Sequence, residues 1–346
     1  MTGGAEQPTS PATGRRGRRA ADLPTLVERA RAGDARSVAR LISLVEDASP
    51  LLRDVAAALA PYTGSARVIG LTGPPGVGKS TTTTALVRAV RARGQRVGVL
   101  AVDPSSPFSG GALLGDRVRM QDHAGDPGVF IRSMASRGHL GGLAWATPQA
   151  LRVLDAAGCD VVLVETVGVG QSELEVASLA DTTLVLLAPG MGDGIQAAKA
   201  GILEVADVFV VNKADRDGAD QTVRDLRSML SLGGRHTRPG AWRPPVVRTV
   251  ASRDVDSGVD EVLTRIDEHA DWLASSGEGD RRRLERAARE VEAIAVAGLR
   301  ERMGELGGSA ALEALAGRVV AGETDPYRAA DELVAQLQSP TGRMAG

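Results

Sequence analysis

The sequence predicts an α/β fold in which a mostly parallel sheet is covered by helices on both faces, with helical extensions at the N- and C-terminal ends. Three observations lead there. Short β-rich apolar runs alternate with stretches of helical periodicity through the centre of the chain, the rhythm of a sheet buried on both sides. A glycine-rich segment ending in Lys79-Ser80 follows the first of these runs. Further polar motifs cluster just after the carboxyl ends of later runs, where ligands bind in an open α/β sheet.

Residues 1–21 are rich in Pro, Gly, Ser and Arg. Pro and Gly spoil the amphipathic helix of an organelle transit peptide, so a disordered tail is expected. From Leu23 to Leu59 apolar residues recur at helical spacing, broken at Gly33-Asp34 and Ser49-Pro50; three short helices are expected within 22–62. The β-rich runs are Val68–Leu71, Val97–Val102, Val161–Glu165, Leu184–Ala188, Val208–Val211 and Val246–Val250, and they place the core domain at 63–275. After the polar break Ser275–Gly279, a helical region at 280–338 is expected over Asp280–Met303, Ala310–Val320 and Pro326–Leu337. The first of these helices carries Leu284, Ala287, Val291, Ile294, Ala295 and Leu299 on one face and needs a packing partner. A partner subunit or the N-terminal helices would supply it.

Composition narrows the function. The 346 residues suggest roughly two units. A net charge of -2 with 24% charged residues gives no basic field, so neither nucleic acid nor a membrane is expected as partner. The lone Cys159 forbids an intrachain disulfide, and His123, His139, His236 and His269 show no metal-ligand spacing. Cys159 reads as a buried structural thiol, and a cytoplasmic location fits. The apolar run Leu184–Pro189 is far too short to span a bilayer, and the N-terminus has no apolar signal-like stretch.

Of 41 basic residues only three are lysine, namely Lys79, Lys199 and Lys213. Lysine is a compact point charge where arginine is a planar fork, so the three mark places where arginine will not serve. Two fall in nucleotide motifs. Gly73-Pro74-Pro75-Gly76-Val77-Gly78-Lys79-Ser80 is a complete G-x-x-x-x-G-K-S loop, preceded by a strand and followed by an amphipathic run. Its glycines let successive N–H groups face β- and γ-phosphates, and the following helix adds its positive end. Lys79 would neutralise phosphate oxygens, Ser80 would offer a hydroxyl to Mg²⁺, and Thr81 would reach the α-phosphate. Magnesium also needs carboxylates; Glu165 and Asp103, each at the end of a β-rich run, are the candidates. Gly168, three residues after Glu165, is placed to sense the γ-phosphate.

Asn212-Lys213-Ala214-Asp215 follows another run. Asp215 would accept from guanine N1–H and N2–H₂, which adenine lacks, leaving a carboxylate unpaired. Lys213 would lay its stem across the ring. Ala251-Ser252-Arg253 is the natural third contact to the base through backbone N–H groups. A protein that binds and hydrolyses GTP is therefore expected, built on a P-loop GTPase core.

The whole set of motifs resembles the MeaB/ArgK family of GTPases, chaperones of adenosylcobalamin-dependent methylmalonyl-CoA mutase within the SIMIBI class. The resemblance runs from about Leu41 to Leu273. It is carried by Gly73–Ser80, Val102–Ser106, Gly115–Met120, Ile131–Gly138, Glu165–Glu173 and Gly192–Lys199 in this order. It implies that Asp116 joins Ser80 and Glu165 as a magnesium ligand, and that Asp103 organises the metal shell or the attacking water. It also implies that Arg119 swings with the first mobile loop and that Lys199 reports nucleotide state. Gln171 lies close to Gly168, but Val169 stands where a water-orienting Gln would be expected, so slow intrinsic turnover is implied. The family dimerises and docks on the mutase, so the implied partners are the mutase and a second copy, with adenosylcobalamin met only through the mutase. Two rivals are a nickel-delivery GTPase metallochaperone, which should show a His-rich tract or paired Cys/His ligands, and an ATP-dependent transport-linked kinase, against which the guanine signature argues.

Overall fold

The computed structural model describes residues 22–47, 49–104, 123, 125–136, 146–166, 172–190, 202–232, 240–251, 256–306 and 310–338. The chain divides into two units, the first ending at Arg282 and the second running from Arg283. The first unit opens with helices α1 (Leu23–Arg31), α2 (Ala35–Glu46) and α3 (Leu52–Leu59). It continues through β1 (Arg67–Thr72), α4 (Lys79–Ala92), β2 (Val97–Pro104), β3 (Val129–Ser136), α5 (Ala146–Ala156), β4 (Val161–Thr166) and α6 (Ser172–Leu179). Then come β5 (Thr182–Leu187), α7 (Ile202–Val205), β6 (Val208–Val211), α8 (Ala219–Leu232), β7 (Val246–Arg248), β8 (Val250–Ala251), β9 (Asp256–Ser257) and α9 (Val259–Ser276). Gly277, at φ 73°, breaks α9 from α10 (Glu278–Leu306). The second unit holds most of α10 with α11 (Ala310–Val320) and α12 (Pro326–Gln338).

Seven strands form one sheet in the order β3-β2-β4-β1-β5-β6-β7, and every pairing in it is parallel. The continuous apolar runs Val161–Val164 of β4 and Val208–Val211 of β6 follow from burial on both faces. Strand alternation then divides the core. Ile69, Leu71, Leu163 and Leu184 pack in one cluster with Leu86 and Val87 of α4 and Val262 of α9. Val162 and Val164 pack in a second with Leu154 of α5, Val176 of α6 and Leu41 and Ile42 of α2, and Val185, Leu187, Phe209 and Val211 pack in a third with Val223 and Leu226 of α8. The three N-terminal helices thus form where expected and complete the second cluster. Asp34 caps α2 by accepting from Ser37 N at 3.0 Å, and Arg132 of β3 reaches back to Glu46 and Ser43 of α2.

Two elements differ from the sequence expectation. Strand β3 was absent from the expected six because Arg132 and Ser133 interrupt its apolar run; these residues are half-buried on a sheet edge, where polar side chains are tolerated. The single run expected at Val246–Val250 is broken, since β7 ends at Arg248 and Val250 pairs instead with Ser257 in a short antiparallel ladder. Helix α7 is described over Ile202–Val205, and Lys199, like residues 1–21, lies outside the described residues. In the second unit, α11 and α12 are linked by Arg318 and Glu332 at 2.7 Å. Along α10, Leu284, Val291, Ile294 and Leu299 are exposed, Leu284 by 72%. Among the described residues no helix is long and apolar enough to cross a membrane.

Cys159 is buried beside the core, and burial pushes its thiol up to about 11. A second buried group, Asp207, stands just before β6, at the amino ends of the strands. It accepts from Thr183 N at 2.8 Å and from Arg282 at 3.1 Å, and His269 Nε2 lies 3.2 Å away. Trp242 donates to its carbonyl at 2.7 Å and lies against the His269 ring, which Trp272 stacks. Burial opposes the ionised carboxylate, but His269 and Arg282 more than offset it, and the Asp207 pKa lies below its ordinary 3.8. A depressed carboxylate pKa contributes stability that is present above the unfolded value and lost as pH falls through the folded one. Asp207→Asn should therefore lower unfolding free energy near neutral pH by about 1.5–3 kcal/mol. It should also flatten the acid limb of stability below about pH 4, both read by urea denaturation across pH.

Candidate functional site

The loop between β1 and α4 sits at the carboxyl edge of the sheet, and three of its glycines hold positive φ, two of them against close neighbours. Gly73 has φ 140° and Gly78 φ 96°, conformations that L side chains rarely adopt. A Cβ on Gly73 would run into the Leu186 carbonyl, and one on Gly78 into the Asn212 amide. Lys79, buried to 8% exposure, folds its ammonium back over the loop and donates to Gly73 O at 2.6 Å and Pro74 O at 3.1 Å. The segment Gly73–Thr81 thus curls around the N-terminus of α4, where the first N–H groups of a helix and its dipole favour an anion.

Beneath the cradle lies a carboxylate. Glu165, the fifth residue of β4, is 2% exposed. Ser80 Oγ donates to its Oε1 at 2.5 Å and Thr83 Oγ1 to its Oε2 at 2.9 Å. Strand register sets Ala101 beside Glu165 and Val102 beside Thr166, so the backbone of Asp103, at the end of β2, lies next in line. Oxygen donors of this kind suit a hard cation. Mg²⁺ is commonly held by one or two carboxylates with phosphate oxygens and waters completing the shell, so one buried carboxylate beside one hydroxyl at the mouth of a phosphate cradle fits it. Among the described residues no group of three or more His, Cys, Asp or Glu is placed to hold a metal ion. Asp116, Arg119, Gly168, Gln171, Ser252 and Arg253, with Lys199, lie outside the described residues, as does the Asp103 side chain.

The second half of the site follows β6. Asn212, 1% exposed, donates from Nδ2 to Val77 O at 2.9 Å. Its Oδ1 accepts from Ala251 N at 3.1 Å and Thr249 Oγ1 at 3.2 Å, and its own N–H donates to Leu187 O at 2.8 Å. Lys213 adopts φ 56°, the one non-glycine residue with positive φ among those described. From there its ammonium donates to Gly76 O at 2.7 Å. Asp215, two residues further on, is exposed. The loop after β6 is therefore fastened to the Gly73–Thr81 segment through Asn212 and Lys213, and to β8 through Ala251.

Sequence reasoning missed Thr83 and Thr249. Thr249 carried no signal, being one polar residue between two short strands. Thr83 did carry one, because four consecutive threonines, Thr81–Thr84, open a helix although branched hydroxyl side chains are mediocre helix formers.

Comparison with known proteins accords with this geometry. The MeaB family profile, described as methylmalonyl Co-A mutase-associated GTPase MeaB, matches residues 38–306. A putative GTPase of Pyrococcus abyssi is 48% identical over 318 residues, covering 91% of this chain and 97% of its own. GTPase ArgK of Escherichia coli is 40% identical over 263 residues, 74% of this chain and 78% of its own. A crystal structure described as an LAO/AO transport system kinase superposes with TM-score 0.66 at 28% identity, covering 92% of this chain and 98% of that one. Asn212→Ala should weaken nucleotide binding roughly tenfold or more, measured by titration with a fluorescent GDP analogue; an affinity within about twofold of wild type would deny the tie its importance.

Proposed function

This chain belongs to the family of methylmalonyl-CoA mutase-associated GTPases and is a GTP hydrolase, and we propose that it docks on an adenosylcobalamin-dependent acyl-CoA mutase, most simply methylmalonyl-CoA mutase. There GTP binding and hydrolysis gate cofactor loading and protect or reactivate the mutase. The observation that carries the reading is the fastening of a complete phosphate cradle to a base-reading loop by Asn212, in a chain whose family is described by its association with that mutase.

Phosphates would lie on the N–H groups of Gly73–Thr81, with Lys79 exchanging its carbonyl partners for phosphate oxygens. Asp215 would accept from guanine, Lys213 would cover the ring, and Ala251–Arg253 would offer backbone donors. Ser80 and Glu165, with Asp103 and Asp116, would hold Mg²⁺. When bound, that ion would neutralise charge on the phosphate oxygens. The protein's own contribution is positional and electrostatic, as in other phosphoryl transfers: a dry, oriented cradle and a water placed in line. Arg119, Gly168, Gln171 and Lys199 would form switch segments ordered by the γ-phosphate and released on hydrolysis.

A homodimer in the cytoplasm completes the reading, supported by the exposed apolar residues of α10. A monomer by light scattering at micromolar concentration would remove the dimer. The mutase reading is tested by GTP hydrolysis of the purified chain, alone and with the methylmalonyl-CoA mutase of the same cell, with ATP in parallel. Slow GTP turnover that the mutase accelerates, with ATP inert, is expected; GTP turnover indifferent to the mutase would send the search to another client. ATP turnover would revive the kinase alternative. Asp215→Ala should cost about a hundredfold in GTP affinity and leave ATP binding unchanged, as measured by competition titration.

A further inference from the structure

We propose that Thr83 is a positioning residue for the metal half of the site: its hydroxyl locks the Glu165 carboxylate in the orientation from which Glu165 and Ser80 together can hold a divalent cation beside the phosphates. The proposal rests on reading Ser80 and Glu165 as that pair. Thr83 is fully buried and has a single hydroxyl hydrogen to give. Two acceptors compete for it, the Lys79 carbonyl at 3.1 Å and Glu165 Oε2 at 2.9 Å.

A threonine inside a helix ordinarily bonds back to the carbonyl four residues earlier, as Thr84 does to Ser80 O at 3.0 Å. Thr83 has that option and a stronger one, since a hydrogen bond to a carboxylate is roughly twice as strong as one to a neutral group. Ser80 and Thr83 stand three residues apart and share one face of α4, so the helix grips both oxygens of Glu165 at once.

The terminal torsion of a glutamate is broad and two-fold. A donor on each oxygen restricts that torsion more than a donor on Oε1 alone. The Ser80 grip is also the one that must change, because its oxygen is the atom offered to the cation. The Thr83 grip lies on the far oxygen and can persist in both states. Partners that orient a metal ligand are commonly worth about 10–100-fold in metal affinity or activity, and in the structure Thr83 is placed to be such a partner.

The test is nucleotide affinity of the full chain, read with fluorescent GDP and GTP analogues in Mg²⁺ and again in EDTA, for wild type and for Thr83→Ser, Thr83→Ala and Thr83→Val. Wild type should bind more tightly in Mg²⁺. Ala and Val should lose roughly tenfold of that tightening while their affinity in EDTA stays within about twofold, and Ser should restore it. If Val does not fold, the Ser and Ala pair isolates the hydroxyl. Full tightening in Ala, or an equal loss in Ser, would overturn the role of Thr83 and leave the site reading standing. A wild type indifferent to Mg²⁺ would overturn the reading of Ser80 and Glu165, and the proposal with it.

Discussion

The side-chain amide of Asn212 is the constraint on which the rest of the site depends. One buried amide holds the Val77 carbonyl with its nitrogen and the Ala251 amide with its oxygen, so the loops after β1 and β6 and the short strand β8 share a single fixed point. Each loop alone would lose considerable conformational entropy on ordering. Sharing the point means that the ordering of one loop supports the others. Any nucleotide spanning cradle and base loop would then meet a surface already shaped rather than two surfaces that must find each other, and preorganisation of that sort is where binding free energy is otherwise lost.

The sheet divides this labour between its two edges. At the carboxyl edge the backbone carries unusual geometry, with Gly73 and Gly78 in conformations closed to other residues and Lys213 at positive φ. Such conformations are costly and persist only where surrounding structure over-determines them. The amino edge carries a buried charge set instead. There Asp207, His269 and Arg282 meet between the starts of β5 and β6 and the helices that follow, flanked by two of the three tryptophans in the chain. A buried charge set of this kind is weak evidence for net stability, since its desolvation is expensive. Its geometry ties the start of β5, at Thr183, to the residue that leads into β6.

What was legible in the sequence follows from where the information lies. The phosphate loop, the base loop and the central strands were readable because each is local, a short run whose residue types are demanded by one ligand group or by burial on both faces. Edge strand β3 was not, because an edge position tolerates Arg132 and Ser133 and so blurs the apolar pattern. The partnership of Thr83 with Glu165 was not, because it joins residues 82 positions apart, and no spacing rule spans that distance without the register of β4 against β1 and the packing of α4 above them. The same holds for Asn212 and Val77. Residue types identified the parts, whereas the fastenings between them became visible only in three dimensions.

Cys159 shows what burial does to chemistry that the sequence alone would leave open. It is the only thiol in the chain, it lies in the core, and its ionisation is pushed up to about 11. Since the thiolate is the reactive form, alkylating and maleimide reagents near neutral pH find almost no nucleophile. The native protein is in effect a thiol-silent background. A cysteine introduced at the surface would be the sole point of attachment for a dye or spin label, with no need to alter the natural residue first.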